Sequence, residues 1–223
     1  MQQTSAMRVF GLTGGIASGK SSVAAHWRRR GLPVLDADAL AREVVAPGSE
    51  GLSAVLREFG GDLLEDGALN RKELGRRVFG DTDQLRRLES ITHPRIEALR
   101  RERLRELEAR GEPLACVEIP LLFEKNMEAA LRPVVLVSVP EALQLERARH
   151  RDGAAPADLQ ARIAAQLPLS EKRARADHVI DNRGTLDELY ARSDAVLARV
   201  CQLLGVPPAR YGLPPEAAAG PTS

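Results

Sequence analysis

The chain has 223 residues, 43% of them hydrophobic, enough for one sizeable core with an appended lid and too few for several further domains. With 32 basic and 31 acidic residues, a net charge of +1, and only one Trp, two Tyr and four Phe, it offers neither a field nor a stacking platform for nucleic acid. No apolar run approaches the roughly 18 residues of a membrane span and no signal-peptide core is seen, so a cytoplasmic location without a membrane partner is expected. Cys116 and Cys201 have no C-x-x-C partner or His/Cys cluster around them and read as small core hydrophobes, not zinc ligands. Met7, directly before the first expected strand, is a second candidate start.

The segment Gly11-Leu-Thr-Gly-Gly-Ile-Ala-Ser-Gly-Lys-Ser-Ser22 holds the pattern G-x-x-x-x-G-K-[ST] from Gly14 to Ser21. A β-rich run, Arg8 to Leu12, precedes it, and a helix-compatible run, Ser21 to Arg30, follows. Glycines 14, 15 and 19 are expected to take positive φ and turn successive N–H groups into one concavity, reinforced by the positive end of the helix. Lys20 would meet β- and γ-phosphates and the Ser21 hydroxyl would ligate Mg²⁺. The pattern predicts a nucleoside triphosphate site; the alternative is a Gly/Ser turn with an accidental lysine.

The helix 21–30 sets Val23 and Trp27 on one face and closes on Arg28-Arg29-Arg30, which reads as a dipole-compensating end or, alternatively, as a phosphate patch. Leu32 to Leu35 is a short strand delivering Asp36-Ala-Asp38 to its C-terminal end, the edge where ligands bind in open α/β sheets. Two carboxylates at i and i+2 beside a phosphate loop suit in-line transfer, one organising metal or water and one taking an acceptor hydroxyl's proton. Asp38 also reads as the N-cap of a helix 39–45, a role compatible with the first. Arg42, one helical turn on, faces the same way and suits an anionic acceptor.

From Pro47 to about Gly80 short helices alternate with Gly-rich turns, as in an inserted acceptor-binding region. A helix 81–90 leads to Ile91-Thr-His-Pro-Arg-Ile96, where Pro94 suits the first turn of a long helix reaching Ala109. His93 is then held near extended geometry at a helix start, either welcoming an anion or serving as a structural histidine. Leu114 to Ile119 is a buried strand. Glu118 reads as a metal-orienting acid or an edge residue, and Leu121-Leu122-Phe123 as an acceptor wall or core packing.

Pro133 to Val139 is the plainest parallel-strand run. The helix after it carries Arg147 and Arg151 four apart. With helices from Pro156 to Leu167 and around Ser170 to Arg175, they suggest a lid closing positive charge over phosphates, or else ordinary Glu–Arg pairing. Ala176 to Asn182 is a fifth strand, and an amphipathic helix 186–204 follows. Beyond Gly205 the Pro-, Gly- and Ala-rich tail, 205–223, reads as disordered.

Taken together, these motifs resemble the dephospho-coenzyme A kinase family of the nucleoside-monophosphate-kinase-like branch of phosphate-loop enzymes. The segments that carry the likeness are Gly11 to Ser21, Leu35 to Arg42, Thr92 to Ile96, Ile119 to Glu124, Arg147 with Arg151, Gln166, Lys172 and Ala176 to Gly184. The resemblance implies a P-loop NTPase three-layer α/β fold with a five-stranded parallel sheet, its core at 7–46, 113–146 and 176–204. It also implies a helical acceptor-binding region at 47–112, a helical lid at 147–175, and transfer of the ATP γ-phosphate to the ribose 3′-hydroxyl of dephospho-CoA.

On that mapping Asp38 is the general base, and Lys20 and the amides of Gly14, Gly15, Ile16, Ala17, Ser18, Gly19, Ser21 and Ser22 hold ATP. Ser21 binds Mg²⁺, with Asp36 as a second candidate. Arg147 stabilises the transferring group, and Asn182 and Gly184 line the adenine site. Asp36, Arg42, His93, Arg95, Leu121, Leu122 and Phe123 meet dephospho-CoA. A monomer or weak homo-oligomer is expected, a point on which no motif bears. Ala17 replaces a glycine common in the family's loop, which matters only where that position needs positive φ. Glu118 has no metal role on this mapping, and the roles of Gln166 and Lys172 stay open.

Overall fold

A computed structural model describes residues 6–78, 80–152 and 155–214. In chain order the elements are β1 (Arg8–Gly14), α1 (Lys20–Arg29), β2 (Val34–Asp36), α2 (Ala37–Val44), α3 (Glu50–Phe59), β3 (Leu64–Glu65), β4 (Ala68–Leu69), α4 (Arg71–Val78) and α5 (Thr82–Ala109). They continue with β5 (Leu114–Glu118), β6 (Val134–Ser138), α6 (Glu141–Asp152), α7 (Pro156–Ala164), α8 (Leu169–Arg175), β7 (His178–Asp181) and α9 (Leu186–Leu203).

The large sheet has the order β2-β5-β1-β6-β7 in a three-layer α/β fold. Parallel pairing sets Leu12 beside Glu118, Gly14 beside Val137 and Ser138 beside Asp181, so β1, β5, β6 and β7 end together. Strands β5 and β6 are buried at every residue, as the apolar runs Leu114 to Val117 and Val134 to Val137 require of a sheet covered on both faces, and each ends on a buried polar residue, Glu118 or Ser138. Phe10, Val23, Trp27, Val135, Ile180, Leu197 and Cys201 form one core with Tyr211 and Leu213. Burial raises the thiol pKa of Cys116 and pushes that of Cys201 up to about 11, which suits two inert core cysteines.

The chain divides into two compact units, 1–34 with 107–223, and 35–106. Helix α2, which the resemblance groups with the nucleotide-binding core, falls in the second unit. That unit is built on Val44, Val45, Val55, Leu63, Leu74 and Val78, with Leu88, Ile91, Ile96 and Leu99 of α5 packed against them.

Several expectations are corrected. The helix after β2 is capped by Asp36, not Asp38: its Oδ1 accepts from the Asp38 N–H at 2.8 Å and the Ala39 N–H at 3.2 Å. The segments 81–90 and 95–110 are one helix with Pro94 inside it, so His93 is helical and marks no helix start. Asp66-Gly67, both at positive φ, joins β3 to β4 as a two-residue hairpin within a region expected to be helices and turns. The tail does not dissolve at Gly205: residues 208–211 form a 3₁₀ turn, and Val206, Tyr211 and Leu213 are buried in the core. The rest of the tail, 215–223, lies outside the described residues.

Candidate phosphoryl-transfer site

In the first unit the phosphate loop runs from the end of β1 into α1. Glycine is needed there for two different reasons. Gly19 has φ +89°, whereas Gly14 and Gly15 are not among the positive-φ residues, contrary to the expectation for all three. What Gly14 lacks is room: a Cβ would lie 2.5 Å from Ser18 Oγ and 2.8 Å from the Val137 carbonyl. At Gly15 a Cβ would meet the buried Gln144 amide at 3.1 Å. Ala17 does adopt positive φ, 53°, so the alanine sits in a left-handed conformation that glycine takes freely.

The start of α1 suits an anion. Its N-cap is Gly19 with no side-chain cap, its first turn holds no acidic residue, and Ser21 is exposed there. Lys20 is ion-paired with Glu118, which is only 3% exposed, and Arg28 lies 3.6 Å from the other Glu118 oxygen. Arg28 also donates to the Val34 carbonyl, Arg30 to Asp194, and Arg29 lies over the Tyr190 ring. The arginine triplet is therefore a partnered helix end, not a phosphate patch.

Asn182, at the end of β7, donates from Nδ2 to the Ser18 carbonyl at 2.7 Å. Gly184 is confined by the capping box of α9: a Cβ there would lie 1.6 Å from Glu188 Oε2, whose carboxylate accepts the Thr185 N–H. Together with Asp181, Arg183 and Arg192, Gly184 lines a shallow hollow.

Beyond β5, Leu122 and Phe123 are buried, Leu122 against Gly11 and Phe123 beneath the Arg175 guanidinium. Core packing therefore accounts for these two, and only Leu121, 37% exposed, presents itself as a wall. On α6, the Arg147 side chain makes no hydrogen bond or ion pair among the described residues, while Arg151 is engaged. Lys172, 2% exposed, pairs with Glu124 at 2.7 Å and Gln166 at 3.2 Å. Three residues on, Arg175 donates to the Phe123 carbonyl at 3.1 Å, so α8 grips the segment after β5 with two cations.

In the second unit Asp36 and Asp38 have different tasks. Asp36 caps α2 and lies 3.8 Å from Arg42, which is 58% exposed. The Asp38 carboxylate is exposed and has no partner among the described residues. On α5, His93 is half-exposed, with Glu89 at 3.6 Å, and Arg95 donates to the Ile91 carbonyl at 2.7 Å.

Three features escaped the sequence reading: the Lys20–Glu118–Arg28 cluster, the Asn182–Ser18 bond and the buried Lys172–Glu124 pair. Each joins residues remote in the chain; the only local signals are Glu118 inside an apolar strand and Glu124 after an apolar block, and nothing local marks the Asn182–Ser18 bond.

A family model for dephospho-CoA kinase matches residues 8–188. The chain belongs to the dephospho-CoA kinase family. A dephospho-CoA kinase from Anaeromyxobacter dehalogenans is 51% identical over 92% of this chain and all of its own length. One from Oryza sativa is 42% identical over 89% of this chain and 86% of its own. Among solved structures, one from Thermus thermophilus matches with a TM-score of 0.76 at 40% identity, over 88% of this chain and 99% of that one. The dephospho-CoA kinase of Campylobacter jejuni matches at 0.59 and 27%, over 86% and 96%. This family uses ATP as co-substrate and performs the last step of CoA biosynthesis. Among the described residues no helix is long and apolar enough to cross a membrane.

Proposed function

We propose that this chain transfers the γ-phosphate of ATP to the ribose 3′-hydroxyl of dephospho-CoA, with Asp38 as the general base. The observation that carries the assignment is the contrast between neighbouring carboxylates: Asp36 is committed to the α2 cap, while Asp38 is exposed and unpartnered among the described residues. A base must reach its proton without first breaking a bond of its own. Asp38 would take the 3′-hydroxyl proton as the oxygen attacks the γ-phosphorus and the bond to the β-phosphate oxygen breaks, releasing ADP.

In this reading the loop amides and Lys20 hold the β- and γ-phosphates, Lys20 exchanging Glu118 for the nucleotide. Arg147, whose side chain has no partner among the described residues, stabilises charge on the transferring group. Arg42, His93, Arg95 and Leu121 meet the acceptor, the hollow at Gly184 takes the base, and 147–175 closes as a lid.

The donor set fits Mg²⁺. Ser21 is exposed in the first turn of α1, and the described residues hold no cluster of three His, Cys, Asp or Glu side chains that would form a cage. Mg²⁺ shared with phosphates takes one or two protein ligands and keeps its waters. When bound, it supplies positive charge that neutralises the phosphate oxygens. The test is to identify the product of ATP, Mg²⁺ and dephospho-CoA by ³¹P NMR. A new 3′-phosphomonoester is expected; phosphate at any other position, or free phosphate alone, would contradict the proposal.

A further inference from the structure

Asn182 is held on both sides. Its backbone N–H donates to the Ser138 carbonyl at 2.8 Å, seating it at the joined ends of β6 and β7. Its side chain, in a residue 6% exposed, donates to the Ser18 carbonyl at 2.7 Å. The contact is close enough to dictate its neighbour, since a Cβ on Gly19 would lie 2.2 Å from Asn182 Nδ2.

A trans peptide is planar, with its C=O and N–H pointing in opposite directions. Drawing the Ser18 oxygen toward Asn182 therefore turns the N–H of the same peptide, that of Gly19, away from Asn182. Gly19 then enters α1 at φ +89°, a conformation that leaves the two peptides flanking it no common orientation with an ordinary helix start. A peptide at such a junction, left untethered, has a second orientation in which its carbonyl replaces its N–H. An anion site tolerates only one of the two, because a carbonyl oxygen repels phosphate.

We propose that Asn182 is a positioning residue for the phosphate loop: it fixes the plane of the Ser18–Gly19 peptide and so aims the Gly19 N–H at the phosphates of the nucleotide. This rests on the reading of Gly14 to Ser21 as the triphosphate site. It differs from a base-binding role, because one Nδ2 hydrogen is committed to the Ser18 carbonyl and only 6% of the residue is exposed. Asn182 acts on the phosphates through the backbone, irrespective of which base the nucleotide carries.

The test separates phosphate from base. Binding of Mg²⁺-tripolyphosphate, which has no base, and of Mg²⁺-ATP is measured by calorimetry for the wild-type chain, Asn182→Ala and the isosteric Asn182→Asp, with thermal midpoints recorded alongside. Both ligands should weaken by the same factor, about tenfold, in Asn182→Ala. They should weaken further in Asn182→Asp, where a carboxylate oxygen faces the Ser18 carbonyl. ATP weakened with tripolyphosphate unchanged assigns Asn182 to the base and overturns the proposal, as does unchanged binding of both.

Should neither variant fold, the wild-type side-chain amide resonance of Asn182 decides. A shift with tripolyphosphate and none with adenosine supports the proposal, and the reverse overturns it. No binding of either phosphate ligand by the wild-type chain overturns the triphosphate site itself, and the proposal with it.

Discussion

The two units hold their functional groups in opposite ways. In the first, Ser18 is tied to Asn182 at a separation of 164 residues and Lys20 to Glu118 at 98, both through buried or part-buried bonds. In the second, Asp36 bonds two and three residues along the chain, and Arg42 and Asp38 are exposed. A backbone cradle must be over-determined before its ligand arrives, since amides cannot rotate to meet it. Charged side chains can be gathered by the acceptor itself. On the proposed reading the donor side is a matter of backbone geometry and the acceptor side a matter of chemistry at a few side chains.

The sharpest way to break that comparison is a pair of substitutions. Asp38→Asn should lower kcat by about 10²–10⁴-fold with the Kd for ATP nearly unchanged, whereas Lys20→Met should weaken ATP binding as well. Equal loss of ATP affinity in both variants would remove the distinction between the sides. Next in size is the clamp after β5. Lys172→Met leaves Glu124 without its cation and should cost about 3–5 kcal/mol in denaturant unfolding. Lys172→Met with Glu124→Leu should recover most of that loss; no recovery would place the cost elsewhere than in the ion pair.

A smaller effect probes the second unit. Hydrogen bonds from Arg76 and Arg77 lower the Glu73 pKa from the usual carboxylate range to about 2. A depressed carboxylate stabilises above its unfolded pKa and loses that contribution as pH falls through its folded value. Protection of α4 in hydrogen exchange should accordingly decline between about pH 4.5 and 2, and Glu73→Gln should flatten that slope. The smallest effect expected is at the loop. Ala17→Gly relieves a left-handed alanine and should raise stability by about 1 kcal/mol at most, read as a higher thermal midpoint.

Much of this was legible in the chain because the signals were local. The phosphate loop is a run of adjacent residues, and β5 and β6 announce themselves as apolar stretches broken only at their last residues, Glu118 and Ser138. Pro94 misleads because a proline in sequence reads as punctuation. The apolar spacing of Leu88, Ile91, Ile96 and Leu99 runs straight across it, and their packing keeps one helix where a missing N–H costs about 3 kcal/mol. Side chains take up nearby carbonyls, Thr92 that of Leu88 and Arg95 that of Ile91. In the tail the prolines again suggested disorder, but Tyr211 and Leu213 have a core to enter. Partners such as Asn182 for Ser18 could not be read, because which strand end meets which loop is a property of the assembled sheet.

The most direct measurement is ADP release from ATP with dephospho-CoA set against a panel of nucleoside monophosphates. If the loop supplies a general donor site and the Asp38-bearing unit the choice of acceptor, release should depend on dephospho-CoA and stay near background with every other acceptor. Release that is independent of acceptor, or greater with a nucleoside monophosphate, would contradict the account.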